Sequence, residues 1–543
     1  MRPTSPPKSG EPTDIRIGIL TSDSSCDRVR SPSHIPSYPE GGHQMPNLLD
    51  PITRHAARAD DAVALRTETG PWTYTALEQK CLRYAGMLRN GGISAGDRVL
   101  LLAPSSPEFV VAYMGIQAIG AVVVPVNTMS TAEEIEYYIT DSGAALVVGR
   151  HELGPAAADA ATTVGIAYRA LEPGGDCTAE PIADVADLEP DATAAILYTS
   201  GTTGKPKGAQ LSVGNLLAAG EIGAAAAGST SIDRVGTGLP LFHVFGQASV
   251  MMAAFTSGGS LSLLSRFTPD GMIDMMRRDE LTVMCGVPTM WNAMLHSAGD
   301  ADAADFAHLR VAVSGGASLP GEIARAFEAR FGCTILEGYG LTETTALGTF
   351  NDIERGGKIG YTGSAVPRLQ VEVRDPEGAP CPAGTVGEIY IKGDTVMKGY
   401  WNRPDATAAV STEDGWFRTG DLGEFDDEGD LRIVDRLKDL IIRGGYNVYP
   451  GEVEEVLYQH PDIVEAAVVG VPDDHYGEEV AAVITRKPGS DLTESEVTEW
   501  SRKKLSAYKV PRIVRFVEQL PKGSTGKILK RNIDRDELRA ANA

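Results

Sequence analysis

From residue 45 to about 435, apolar positions alternate between two rhythms. Stretches with helical spacing give way to short runs of Val, Ile and Leu: RVLLLAP (98–104), AVVVPVN (121–127), ALVVGR (145–150), AAILYTS (194–200), LTVMCGV (281–287) and RVAVSGG (310–316). Continuous apolar runs between helices predict strands buried on both faces, hence parallel sheets covered by helices. From 369 to 434 the runs LQVEVRD, GEIYIKG and GDLRIVD are separated by Gly, Asp and Glu turns, which predicts a smaller antiparallel β unit. Beyond DRLKDLI, helical spacing over 451–460 and 493–506 flanks the strand-like EAAVVGV and EEVAAVITR. The expected fold is α/β: a large N-terminal domain of helix-covered parallel sheets with the antiparallel unit, over 45–437, then a small mobile α+β domain over 438–543. No internal repeat is evident.

One apolar segment, FVVAYMGIQAIGAVVVPV (109–126), is long enough to be mistaken for a membrane span. Its flanks say otherwise. Ser106 can cap a helix, Pro107 suits the first turn and Glu108 complements the dipole. Gly120 is a helix stop, and AVVVPV then reads as a buried strand. No transmembrane segment is expected.

Residues 1–44 are rich in Pro, Ser, Gly and Asp and carry one short apolar patch, IRIGIL. They read as a disordered extension, either a native flexible tail or sequence ahead of a true start at Met45. No apolar signal region lies among them, so the expected location is cytoplasmic, with peripheral attachment to a membrane left open.

The chain has 543 residues, 42% of them hydrophobic, and 49 basic against 73 acidic residues, a formal net charge of −24. That length exceeds a single core. The acidic balance argues against a broad nucleic-acid surface, which needs a basic face. An acidic protein can still bind a polyanion in a focused cationic pocket. Six scattered cysteines (26, 81, 177, 285, 333 and 381) without a CxxC pair fit reduced thiols better than disulfides or zinc.

YTSGTTGKPKG (198–208) is the candidate for such a pocket. It follows a buried strand. Gly201 and Gly204 let the backbone approach an anion, and Thr199, Ser200, Thr202 and Thr203 offer hydroxyl donors. Lys205 and Lys207 add charge. It is not a Walker A loop, because Pro206 follows Lys205 and Thr stands at 199. In GYGLTETT (338–345), Tyr339 has a flat ring suited to stacking near a base, Thr342 can donate to a phosphate, and Glu343 is a hard oxygen ligand fit for Mg²⁺. In WFRTGDL (416–422), Asp421 has two acceptor oxygens that suit a ribose cis-diol.

YTSGTTGKPKG resembles the signature of the adenylate-forming enzymes: acyl-CoA synthetases, luciferases and peptide-synthetase adenylation domains. PLFHVFG (240–246), GYGLTETT, WFRTGDL, DRLKDLIIRGGYNVYPGEVE (435–454) and PKGSTGKILK (521–530) follow in the family's order, and the resemblance runs from about Met45 to the C-terminus. It implies attack of a carboxylate on the α-phosphate of ATP, giving an acyl-adenylate and pyrophosphate, then displacement of AMP by a thiol. Cations and Mg²⁺ should carry both steps. Lys527 matches the catalytic lysine, whereas Lys522 and Lys530 read as surface charges. Arg436 matches a residue touching ribose or phosphate. His243 stands where the family gates the acyl tunnel or contacts phosphate, with Phe242 and Phe245 beside it. In VSGGASL (313–319), Gly315, Gly316 and Ala317 match a loop along the adenine and acyl group, and Gly338 and Gly340 complete the nucleotide set.

Lys438 matches the hinge, about which the C-terminal domain is expected to rotate. One orientation delivers Lys527. The other brings Gly444, Gly445 and Tyr446 to shape the pantetheine path. One string departs from the family pattern: AVPRLQ stands where P-x-P-G-x-E is usual, and Arg368 is ill suited to the positive φ that Gly would take there.

The member that these strings resemble most is a bacterial medium- or long-chain fatty-acyl-CoA synthetase, using a carboxylic acid, ATP, Mg²⁺ and coenzyme A, as a monomer or homodimer with no nucleic-acid partner. PLFHVFGQ, GVPTMW (286–291) and GGYNVYPGEVE carry that likeness. A fatty acyl-AMP ligase loading a carrier protein and an aryl-CoA ligase are the alternatives. A non-catalytic ATP-binding protein is disfavoured because Lys527, Glu343 and Asp421 are all present. No carrier-protein module follows within the chain, so a peptide-synthetase subunit is not expected.

Overall fold

The computed structural model describes Met1 and residues 46–540 apart from 60, 176, 200–204 and 298. The expectation of disorder over 1–44 therefore falls outside the described residues, as does the middle of YTSGTTGKPKG.

Two large sheets carry the alternating pattern. In the first, strands Ile335–Tyr339, Val311–Ser314, Val283–Gly286, Arg234–Thr237, Ser260–Leu263 and Val63–Thr67 run parallel in that spatial order, with short antiparallel strands at both edges. In the second, Thr193–Thr199, Val122–Pro125, Arg98–Leu102, Ala144–Gly149 and Ala167–Ala170 are parallel, and Lys207–Ser212 and Gly399–Tyr400 extend the sheet antiparallel. All six apolar runs quoted above contribute strands to these sheets.

One hydrophobic core joins the two sheets: Val99, Val123 and Ala195 of one sheet share it with Val235, Leu261 and Val283 of the other. Helix Pro107–Ala118 belongs to that core, and every residue from Phe109 to Ala118 is buried. Its start is as the flanking residues predict. Ser106 accepts from the Phe109 amide, and the carboxylate of Glu108 accepts from Gly174 N at 2.6 Å. Truncating Phe109, fully buried and stacked on Tyr113, would cost about 3–5 kcal/mol.

The antiparallel unit is a four-stranded sheet of Leu369–Arg374, Gly387–Gly393, Phe417–Phe425 and Leu431–Arg436. The turn before it corrects one expectation. Arg368 does take the left-handed conformation, φ 67°, and its guanidinium pairs with Asp394 at 2.7 Å and Glu221 at 2.6 Å. Two ion pairs hold a backbone shape that glycine would adopt without help.

Beyond Leu440 the chain makes its own five-stranded sheet, with Ile463–Asp473 and Gly477–Arg486 as a long antiparallel pair and Ile513–Phe516 added parallel. Helices Pro450–Tyr458 and Glu494–Arg502 accompany it, the latter opened by a Thr493/Glu496 capping box. No described helix is long and apolar enough to cross a membrane.

Candidate active site

Most of the candidate residues line one cavity of about 1170 Å³, between the ends of the first sheet's strands, the antiparallel unit and the C-terminal sheet. Thr199, Lys207, His243, Gly316, Ala317, Gly338, Tyr339, Gly340, Thr342, Glu343, Asp421, Arg436, Lys438 and Lys527 all face it. Lys205 instead lies 5.2 Å over the ring of Tyr137. Ser200, Gly201, Thr202, Thr203 and Gly204 lie outside the described residues.

The GYGLTETT loop is shaped by backbone strain. Tyr339 ends a strand, a single 3₁₀ turn spans Thr342–Thr344, and Thr345 and Ala346 follow with φ 50° and 68°. A Cβ on Gly340 would lie 2.3 Å from the carbonyl carbon of Ala346. The loop therefore folds back on itself only because position 340 is glycine.

That turn presents Glu343, almost fully buried. Its Oε1 accepts from Tyr400 Oη at 2.8 Å and from Thr199 Oγ1 at 3.3 Å. Tyr400 also lies beneath the Lys207 ammonium, 5.2 Å from the ring centroid. Burial and the neighbouring carboxylate keep the Tyr400 phenol protonated, so it is a fixed donor. A carboxylate aimed into the cavity and already oriented by two hydroxyls suits a hard cation that takes its remaining ligands from phosphate and water. Glu343 thus fits Mg²⁺.

Asp421 is buried at the end of the antiparallel unit. Its Oδ2 accepts from Tyr339 Oη at 2.7 Å, and its Oδ1 lies 3.3 Å from Nε of Arg436. Tyr339 is therefore fixed at its hydroxyl end, leaving its ring along the cavity wall.

Lys527 arrives on a hairpin. Gly523 N donates to Lys527 O, Gly526 N to Gly523 O, and Lys522 bridges Ile528. The turn residue Gly526 (φ 81°) sits so close to Thr289 that a Cβ would be 2.8 Å from its hydroxyl. The tip of the C-terminal unit thus packs against the large sheet's side of the cleft. Burial, and then the nearby Arg436, push the Lys527 ammonium down to about 8, against the opposing pull of Asp421 and Asp439. Among the described residues it forms no ion pair.

Lys522 and Lys530 are less solitary than the sequence implied. Lys522 pairs with Glu465 and Lys530 with Glu454, each at 2.7 Å. Lys530 is a half-buried strut rather than a surface charge.

His243 accepts from the Phe245 amide through Nδ1 at 3.3 Å. Burial first, and the Lys527 charge second, hold its pKa down to about 4, so it is neutral with its proton on Nε2. A π-helix, Phe245–Met252, follows directly, a widening often found at functional sites. Apolar spacing alone does not reveal it. Gly444, Gly445 and Tyr446 are exposed and do not line the cavity, and Tyr446 stacks on Tyr508 at 4.9 Å. The structure brings Lys527 to the cleft and leaves that loop outside.

Sequence reasoning missed Tyr400, Glu454 and Glu455. Tyr400 sits in the string KGYW, 57 residues from the Glu343 that it orients, and no local spacing links the two.

Residues 52–401 match the AMP-binding enzyme family, and residues 452–527 match the AMP-binding enzyme C-terminal domain. The chain belongs to the AMP-binding enzymes. It is 37% identical over 493 residues to a feruloyl-CoA synthase of Amycolatopsis sp, an alignment covering 89% of this chain and 97% of that one. It is 33% identical to a long-chain-fatty-acid–CoA ligase of Bacillus subtilis (strain 168), covering 91% and 96%. ATP-bound MatB from Rhodopseudomonas palustris superposes with a TM-score of 0.85 at 35% identity, covering 92% of this chain and all of that one. The chain is accordingly an adenylate-forming acid–CoA ligase, using ATP and coenzyme A.

Proposed function

We propose that this AMP-binding enzyme activates a medium- or long-chain fatty acid, forming an acyl-adenylate and then acyl-CoA with release of pyrophosphate and AMP. The observation that carries the reading is the continuity of the cavity. The cavity lined by Lys527, Asp421, Glu343, His243 and Phe245 is also lined by Gly223, Ala226, Val235, Val250, Ala253 and Cys285. Those small and mostly apolar side chains leave room for a hydrocarbon.

In this reading the Lys527 ammonium bridges the acid's carboxylate and the α-phosphate, offsetting charge as the new bond forms. Asp421, with Arg436 beside it, takes the ribose hydroxyls. The loop from Thr199 to Lys207, with Thr342, receives the phosphates, and Gly316, Ala317, Gly338 and Gly340 line the nucleotide. Glu343, oriented by Tyr400, would hold Mg²⁺, which supplies charge neutralisation on the phosphates. Neutral His243 borders the acyl carboxylate without adding charge. Lys438 is the pivot by which the unit beyond it turns, exchanging Lys527 for the Gly444–Gly445–Tyr446 loop when the thiol attacks.

A second reading, an aryl or hydroxycinnamoyl substrate, is favoured by the likeness to feruloyl-CoA synthase. One screen separates the two: pyrophosphate release with acetate, octanoate, palmitate, oleate, benzoate, coumarate and ferulate, each with and without coenzyme A. Turnover with octanoate, palmitate or oleate only when the thiol is present supports the fatty-acid reading. Preference for coumarate or ferulate defeats it. A single burst that coenzyme A does not relieve points to a ligase that hands its adenylate to a carrier protein.

A further inference from the structure

Helix Gly321–Phe331 begins without a cap of its own. Pro320 precedes it and offers no side-chain acceptor, although the first amides of a helix need partners. The amide of Gly321 instead donates to Oε2 of Glu455, 134 residues away on helix Pro450–Tyr458 of the C-terminal unit, at 3.3 Å. A Cβ at position 321 would lie 3.1 Å from Glu455 Oε1, so glycine there gives the carboxylate access.

The adjacent residue grips the other side. Glu454 takes Lys530 at 2.7 Å, and Lys530 directly follows the hairpin that carries Lys527 and is closed by the bridge of Lys522 with Ile528. Lys522, at the hairpin's other strand, is tied to Glu465 at 2.7 Å. Two neighbouring carboxylates on one helix thus connect the lysine hairpin to the large domain: Glu454 inward to the hairpin, Glu455 outward to the uncapped helix. Asn292, donating to Val464 O at 3.1 Å, adds a further contact across the same boundary.

We propose that Glu455 is a positioning residue for the first half-reaction, latching the C-terminal unit onto helix Gly321–Phe331 so that Lys527 is held in the cleft. This rests on the role proposed above for Lys527. The latch acts only in this orientation, so it sets how the enzyme divides its time between forming the adenylate and passing it to the thiol.

The test measures the two half-reactions separately in the full chain: pyrophosphate release from acid and ATP, and thioester formation from supplied acyl-AMP and coenzyme A. Removing a helix cap shifts such an equilibrium roughly 2- to 30-fold. Glu455→Ala should lower the first half-reaction by that factor and leave the second within about twofold. Glu455→Gln, which keeps an acceptor oxygen, should lose less. Gly321→Pro deletes the donor from the other partner at a position where a helix tolerates proline, and should reproduce the split. Equal losses in both half-reactions, no loss in either, or a Gln variant no better than Ala overturns the latch. Lys527→Ala run alongside keeps the two ideas apart: if it spares pyrophosphate release, the role of Lys527 fails, whatever the Glu455 variants do.

Discussion

The most exposed part of the mechanism to experiment is the charge on Lys527. Its pKa falls from 10.5 to about 8 because the docked hairpin takes the ammonium out of water and places Arg436 near it. That fall corresponds to about 3 kcal/mol opposing the charged lysine in the empty cleft. The sign follows from proton binding. Between pH 8 and 10.5 the docked state binds fewer protons than the undocked one, so docking is favoured as pH rises through that window. In the proposed mechanism chemistry runs the opposite way, because only the ammonium can offset the charge developing on the α-phosphate. At pH 7 about nine-tenths of the docked lysine is charged, and at pH 9 about one-tenth. Pyrophosphate release should therefore show a kcat/KM for ATP that is level below pH 8 and drops about tenfold by pH 9, since kcat/KM reports the free enzyme. The fall in kcat should begin at higher pH, because bound phosphates restore the negative charge that the lysine lacks. His243, neutral above about pH 4, adds no limb between 5 and 8. Lys527→Ala should be severely impaired in this half-reaction and should lose the limb, while still converting supplied acyl-AMP with coenzyme A. A profile level to pH 10, or a limb that survives in Lys527→Ala, refutes the reasoning.

Other outcomes follow from single contacts. Tyr400→Phe deletes the 2.8 Å donor to Glu343 and should raise the Mg²⁺ concentration needed for half-maximal pyrophosphate release by about tenfold or more; an unchanged requirement would remove Tyr400 from the site. Arg368→Ala keeps the left-handed strain and loses both ion pairs, whereas Arg368→Gly loses the pairs and relieves the strain. The glycine variant should be the more stable of the two by about 1 kcal/mol, read as the higher Tm. Because the net charge is −24 and exposed cations such as Arg277 and Arg539 are paired with carboxylates, kcat/KM for ATP should hold or rise modestly between 20 and 200 mM salt, checked in the same assay; a steep fall would reveal an attractive surface that these residues do not provide.

Much of the architecture is legible along the chain because its determinants are local. The runs from RVLLLAP to RVAVSGG are apolar without alternation, and only strands covered on both faces need that. Ser106, Pro107 and Gly120 punctuate the buried helix within about fifteen residues. The candidate site is legible for another reason: the groups proposed to meet the nucleotide lie in short strings where several chemistries coincide, as in GYGLTETT. What is not legible depends on partners far apart in sequence. The left-handed turn at Arg368 needs Glu221 and Asp394, Glu343 needs Tyr400, and Gly321 needs Glu455. The π-helix after His243, FGQASVMM, is not signalled by the spacing of its apolar residues.

The string YTSGTTGKPKG (198–208), with its hydroxyls, glycines and paired lysines, gains its sense from how the surrounding charges are matched. Arg436 faces Asp421, Lys530 faces Glu454 and Lys522 faces Glu465, so these cations are largely balanced before any nucleotide arrives. Lys207, Lys438 and Lys527 line the cavity without an ion pair among the described residues, and with the Lys527 pKa pushed down to about 8 the fold bears a cost of about 3 kcal/mol to hold that lysine charged. Counter-charge delivered by ATP lowers that cost, so nucleotide binding and docking of the C-terminal unit reinforce each other. Once pyrophosphate leaves, much of that negative charge goes with it, and the same lysine weakens the docked state. In such a scheme the reaction's own products release the hairpin, and contacts such as Glu455 with Gly321 need only balance what the lysine charge opposes. In the proposed reaction a chain of net charge −24 can take up a polyanion because lysines of its cleft lack an ion pair among the described residues, and the substrate supplies their partner.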